Sequence, residues 1–135
     1  MPADANRALL ERYMARVWEE GDLSALPEFL HPDYRRHLGP TRGSLDLEGQ
    51  IERLKGFREA FPDITITVED VIVDGDRIAF RSTMTGTHGG VFAGVPATGR
   101  RVTVGLVDVI RVVEGRFIEQ WGGPDMADLM SQISA

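Results

Sequence analysis

Near residue 63 the hydrophobic period of the chain changes, and that change restricts the fold more than any other feature. Before it, apolar residues recur every three or four positions; after it, they alternate. In the first region Leu9, Leu10, Tyr13 and Val17 share a stripe, flanked by Met14 and Trp18. Glu11, Arg12, Arg16 and Glu19 take the other side, so a helix is predicted from Asn6 to Glu20. Gly21 stops it. Asp22-Leu23-Ser24 opens a short second helix carrying Leu26, Phe29 and Leu30, with Pro27 tolerated in its first turn. His31-Pro32-Asp33 is read as a turn. Tyr34 to Ser44 holds Gly39, Pro40 and Gly43 without a clear period, and reads as a loop with at most a short extended start, a candidate pocket rim. A third helix is predicted from about Asp46 to Ala60, with Leu47, Ile51, Leu54 and Phe57 on its buried stripe and Glu52, Arg53, Lys55, Arg58 and Glu59 elsewhere.

Beyond Phe61-Pro62-Asp63 the alternation begins with Ile64 to Glu69 and Val71 to Val73, and Asp74-Gly75-Asp76 supplies a hairpin turn. The next strand, Arg77 to His88, sets Ile78, Phe80, Ser82, Met84, Gly86 and His88 on one face, the better candidate for the interior. A glycine-rich connection leads to Arg101–Arg111, where Val102, Val104, Leu106, Asp108 and Ile110 share a face, so Asp108 interrupts an apolar stripe. Glu114-Gly115 makes another hairpin turn, Arg116 to Trp121 forms the last strand, and Met126 to Ile133 a short C-terminal helix. Helices followed by antiparallel strands predict an α+β fold with the helices on one face of a sheet, in one domain spanning residues 1–135. A sheet curled around helices makes a cone with one open end, and such concavities take small ligands.

Composition removes several function classes. The net charge of -6 opposes a phosphate backbone, so no nucleic-acid partner is expected. No stretch approaches a membrane span and the start carries no secretory pattern, so a cytoplasmic protein without membrane contact is expected. Cysteine is absent, which excludes disulfides, thiolate nucleophiles and cysteine zinc sites. Histidines at 31, 37 and 88 show no metal-binding spacing, no phosphate loop opens a helix, and no nucleophile elbow is present, so neither metal nor cofactor is expected.

Six short strings, in this order, carry a family resemblance: Trp18-Glu19-Glu20-Gly21-Asp22-Leu23, His31-Pro32-Asp33-Tyr34, Phe61-Pro62-Asp63, Gly86-Thr87-His88, Gly94-Val95-Pro96-Ala97-Thr98-Gly99 and Trp121-Gly122-Gly123-Pro124-Asp125. Together they span nearly the whole chain. The sequence resembles the SnoaL-like polyketide cyclases, also called ester cyclases, of the nuclear-transport-factor-2-like superfamily. That resemblance implies a cone in which a strongly curved antiparallel sheet wraps three N-terminal helices, commonly a homodimer through the sheet. It also implies a cofactor-free aldol closure driven by an acid/base aspartate, with an apolar or aromatic small molecule as ligand. The family's aspartate falls on Gly122, which cannot transfer a proton, and its pocket histidine falls on Asp108.

Asp108 is accordingly the first catalytic candidate, since a carboxylate on an apolar strand face is desolvated and its pKa rises toward that of a useful base; the structural alternative is a buried partner for an arginine. His88 is the second, able to exchange a proton near neutrality or simply to hydrogen-bond the following loop. Tyr34 and His37 are candidate ligand contacts at the rim, and Phe80 and Met84 candidate walls. Trp121 and Gln120 belong to alternate faces of the last strand, and a bulge at the paired glycines would decide which of them lines the pocket. Asp125 is expected to cap the C-terminal helix. Three functions follow. The first is a cyclase or related isomerase or lyase of secondary metabolism. The second is a non-catalytic binding or accessory protein using the same cavity, in keeping with Gly122. The third and weakest is epoxide hydration, which needs two acids and an arginine around a water, whereas Arg81 faces outward.

Overall fold

The computed structural model describes residues 2–134. The first helix, α1 (Pro2–Tyr13), runs on as one π-helical stretch, Met14–Glu19, and buries Leu9, Leu10, Tyr13, Met14 and Val17, the stripe its periodicity marks. The wider π turn falls where Tyr13, Met14 and Trp18 come to face a cavity. Arg58 Nη1 donates to the Trp18 carbonyl at 3.1 Å, occupying one of the oxygens that a helix end leaves free. Asp22 caps a 3-10 turn, Leu23–Ala25, that passes into α2 (Leu26–Phe29). The third helix, α3 (Leu47–Ala60), starts at Asp46, whose Oδ1 accepts from Gly49 N at 2.9 Å.

The segment read as a turn and a loop is instead largely β structure. β1 (Leu30–Gly39) and β2 (Gly43–Leu45) form a hairpin, and β1 runs parallel to the last strand, β6 (Arg116–Pro124). Two features hide this strand from periodicity. Pro32 lies where the β1–β6 register is interrupted, between Leu30 and Arg35, so its missing N–H costs no ladder bond. Arg36 occupies a buried position beside Tyr34, so the inward-facing series is not apolar. The remaining strands, β3 (Thr65–Asp74), β4 (Arg77–Thr87) and β5 (Arg101–Val113), follow the predicted alternation. The sheet order is β2-β1-β6-β5-β4-β3, antiparallel except between β1 and β6. The sheet is therefore mixed rather than wholly antiparallel, and it is open.

Two of its register shifts decide which side chains face the helices. One near Glu69 lets both Val68 and Val71 pack toward the helices. The other falls at Ile118, because Arg111 faces Glu119 while Val112 faces Phe117. Ile118 is the extra residue, and with it Phe117 and Gln120 are both buried. α4 (Met126–Ser134) closes the chain, with Asp125 Oδ1 accepting from Asp128 N at 3.1 Å as a cap would.

The core has two lobes. One gathers α1, α2 and the sheet around Tyr13, whose ring meets Phe29 and Phe117 edge-on at 5.7 and 5.1 Å. The other gathers Phe57, Phe61, Met84, Val102, Leu129 and Ile133. Each such side chain fully withdrawn from water stabilises the fold by about 1.5–3 kcal/mol. No helix among the described residues is long and apolar enough to cross a membrane.

Candidate functional site

Between the two lobes lies a narrow cavity of about 40 Å³, which shares Arg36, Arg53, Phe57 and Pro124 with an open groove of about 650 Å³ that has room for a small organic molecule. Its walls take Met14, Leu54 and Phe80 from one lobe and Phe57, Ile64 and Met84 from the other. It opens toward a mouth lined by Leu38, Arg42, Phe92 and Met126. Against this apolar lining stand the polar side chains of Arg36, Gln50, Arg53, Ser82, Asp108 and Gln120.

Asp108 sits in the middle strand of three, opposite Phe80 on β4 and Gly122 on β6. Only 4% of its surface is exposed. Its Oδ1 accepts from Gln120 Nε2 at 3.1 Å and from Arg36 Nη2 at 3.3 Å, while among the described residues Oδ2 accepts no side-chain hydrogen bond. Gln120 is oriented in turn by Tyr34, whose hydroxyl donates to Oε1 at 2.7 Å. The relay has one direction: tyrosine to amide carbonyl, amide nitrogen to carboxylate. Burial pushes the Tyr34 phenol well up, so it remains a donor.

Burial also pushes the Asp108 carboxyl above the usual carboxylate range, outweighing the pull of Arg36 and the Gln120 hydrogen bond. The arginine's hold is weak for a geometric reason. A strong carboxylate–guanidinium pair is bidentate, whereas Arg36 offers one long contact. The same Nη2 is engaged more closely, at 2.6 Å, by the Gly122 carbonyl. The result is a desolvated carboxylate with one oxygen anchored and the other unengaged, the arrangement of a general base.

The neighbouring Gly122 explains why no acid stands at that position. Its φ is +92°, and a Cβ there would lie 2.0 Å from the Val107 carbonyl oxygen. β6 approaches β5 too closely for any side chain, and the carboxylate is carried by the residue directly across the ladder.

The candidates named from sequence separate into two groups. Asp108, Gln120, Phe80 and Met84 line the cavity, and Tyr34 stands behind Gln120. His88 is not brought to them. It is fully buried, tied through Nδ1 to Thr98 Oγ1 at 2.9 Å and to Thr98 N at 3.3 Å, and tilted against Phe61. Since Thr98 N donates to Nδ1, the neutral ring carries its proton on Nε2, which has no partner among the described residues. His37 and Trp121 do not line the cavity either. Their rings stack at 5.0 Å, His37 Nε2 lies 2.8 Å from Glu119 Oε2, and Arg111 Nε donates to Glu119 Oε1 at 2.6 Å. The bulge at Ile118 decides this placement, turning Gln120 inward and Trp121 out.

Sequence reasoning also missed residues. Arg53, placed off the buried stripe of α3, lines the cavity together with Gln50, Leu54 and Phe57. Their spacing of three, four and seven is itself a helical stripe, concealed by two polar members. Arg36 would have emerged from reading Tyr34-Arg35-Arg36 as a strand. Among the described residues no three His, Asp or Glu side chains converge as metal ligands would.

Comparison with known proteins bears on the family and the fold. A family profile described as SnoaL-like polyketide cyclase matches residues 8–133. Aklanonic acid methyl ester cyclase DnrD of Streptomyces peucetius is 27% identical over 130 residues, covering 92% of this chain and 88% of its own. The structure of TsrD from Streptomyces laurentii is 31% identical with a TM-score of 0.86, covering 100% of this chain and 98% of that one. A SnoaL-like protein from Jannaschia sp. CCS1 superposes with a TM-score of 0.90 at 27% identity, covering 99% and 94%.

Proposed function

The chain belongs to the SnoaL-like polyketide cyclase family, and from that premise we propose that it closes a carbon ring in a polyketide by a cofactor-independent aldol step with Asp108 as the base. The observation that carries the reading is the asymmetry of that carboxylate, anchored through Oδ1 and unengaged at Oδ2 within an apolar cavity. Oδ2 takes a proton from a carbon flanked by carbonyl groups, and the electron pair left behind delocalises onto oxygen as an enolate. The carbon then attacks a ketone within the same molecule, a carbon–carbon bond forms, and the ketone oxygen receives the proton that Asp108 holds. Nothing is gained or lost overall, so the product is an isomer of the substrate. Burial serves the step twice, by raising the basicity of Asp108 and by excluding water from the enolate.

Aklanonic acid methyl ester, after which the DnrD relative is named, is the substrate to try first, with closure followed chromatographically as a product of unchanged mass. Asp108→Asn is expected to lower kcat by about 10²- to 10⁴-fold, the usual contribution of a positioned base. A variant that turns over at the wild-type rate would exclude Asp108 from the chemistry.

The Arg36 contact favours a second reading, in which Asp108 serves as counter-ion and the cavity holds a ligand without transforming it. Saturable binding by the wild-type protein, with no isomerised product from the ester, would select it.

A further inference from the structure

The charge inside the cavity is opposite in sign to that of the protein. The chain carries a net -6, yet the charged side chains lining the cavity are two guanidiniums, Arg36 and Arg53, and one carboxylate, Asp108. Arg36 takes the carboxylate. Among the described residues Arg53 makes neither an ion pair nor a side-chain hydrogen bond, and its guanidinium carbon rests 4.9 Å above the Phe57 ring. Burial and the nearby charge of Arg36 bring its pKa down to about 10, so it is still a cation at neutral pH. A half-buried cation of this kind, without an anion, is costly unless a ligand supplies one.

Two further polar groups in the same lining are also without partners. Gln50 and Ser82 are each 1% exposed, and neither Gln50 Oε1 nor Ser82 Oγ has a hydrogen-bond partner among the described residues. A buried polar atom left unpaired costs about 1–3 kcal/mol. Two of them facing one cavity, on a helix and on the opposing sheet, are poor design for a core and suitable design for a ligand rich in oxygen. The three unpaired groups are also ordered along the cavity. Gln50 and Ser82 line only the inner space, whereas Arg53 lines both the inner space and the mouth.

We infer that the cavity and its mouth form a monoanion site, with an ionised ligand oxygen on Arg53 toward the mouth and ligand hydroxyl groups reaching Gln50 and Ser82 within. The assignment deepens the ring-closure reading by naming the charge state of its ligand, and an enolate or a carboxylate would equally supply the ionised oxygen. It is read by binding and ring closure by turnover, so either can fail alone.

Calorimetric titration with three anthraquinones tests it: rhein, which carries a carboxylate; its methyl ester, which does not; and alizarin, measured below and above the ionisation of its hydroxyl. Rhein is expected to bind the wild-type protein about tenfold or more tighter than the ester, the effect of one charge-assisted contact in a partly buried site. Arg53→Gln should bring the ratio to near one, and Arg53→Lys should keep part of it. Alizarin gaining affinity on ionisation supports an enolate-type source; a preference confined to rhein supports a carboxylate. Equal binding of rhein and its ester to wild type overturns the inference, as does a preference that survives in Arg53→Gln. Should Arg53→Gln fail to fold, Arg53→Met, which keeps the aliphatic length, takes its place, and the wild-type comparison stands by itself.

Discussion

Replacing Gly122 by alanine separates two costs that usually arrive together. At φ +92° an L-residue is strained, by about 1–3 kcal/mol. The added Cβ would also lie 2.0 Å from the Val107 carbonyl oxygen, a separation that requires β5 and β6 to part by about an ångström. Overpacking of that kind costs about 1–3 kcal/mol more. The sum is about 2–6 kcal/mol. Gly115 provides the control, since its φ is +74° but a Cβ there meets nothing within 4 Å. Gly115→Ala should therefore cost only the left-handed strain, about 1–2 kcal/mol. Urea unfolding at 25 °C reads both. With a slope of about 2 kcal/mol per molar, a 4 kcal/mol loss moves the midpoint by about 2 M. Losses that agree within about 0.5 kcal/mol would refute the reasoning, because the strands would then be yielding without resistance. The same clash predicts that Gly122→Asp does not supply a working base.

Tyr34→Phe removes the donor to Gln120 Oε1 inside the core and leaves that oxygen unpaired; a loss of about 1–3 kcal/mol is expected in the same unfolding assay. The raised pKa of Asp108 predicts a pH signature. Its contribution to stability is complete below the ordinary carboxylate pKa and is lost as pH rises through the higher folded value, so the melting temperature of Asp108→Asn should gain on wild type across that interval. Asp63 has the opposite sign, because hydrogen bonds from Thr87 N and Oγ1 hold its pKa down. Its contribution is present above the ordinary carboxylate pKa and lost as pH falls through the lower folded value. The melting-temperature deficit of Asp63→Asn at neutral pH should accordingly shrink on acidification.

What the sequence disclosed depended on whether its two-residue and 3.6-residue periods survived intact. In β4 and β5 the alternation is unbroken, and the inward placement of Phe80, Met84 and Asp108 could be counted off directly. In β1 the period is hidden by Pro32 and by the buried Arg36, so a strand passed for a turn and a loop. In β6 one additional residue reset the phase, which no count from the hairpin turn could locate. α3 was found, yet of the two polar members of its cavity stripe Arg53 was placed off the buried face and Gln50 was given no side, because polarity was equated with exposure. The family strings carried another kind of information. Phe61-Pro62-Asp63 and Gly86-Thr87-His88 meet in space, with Asp63 bonded to Thr87 and the His88 ring against Phe61, so their recurrence together reflects one structural junction.

The additional residue at Ile118 makes the phase of the last strand depend on where one spare position sits. Because Ile118 has no partner on β5, its deletion would join Phe117 to Glu119 and straighten the ladder, leaving Gln120 inward and Trp121 outward. Were the unpaired position instead to lie beyond Trp121, the amide that steadies the carboxylate would turn to the outer face and an indole would enter the cavity in its place. Polarity and volume of the chamber thus change abruptly with the site of a single bulge, while the remaining strands keep their ladder.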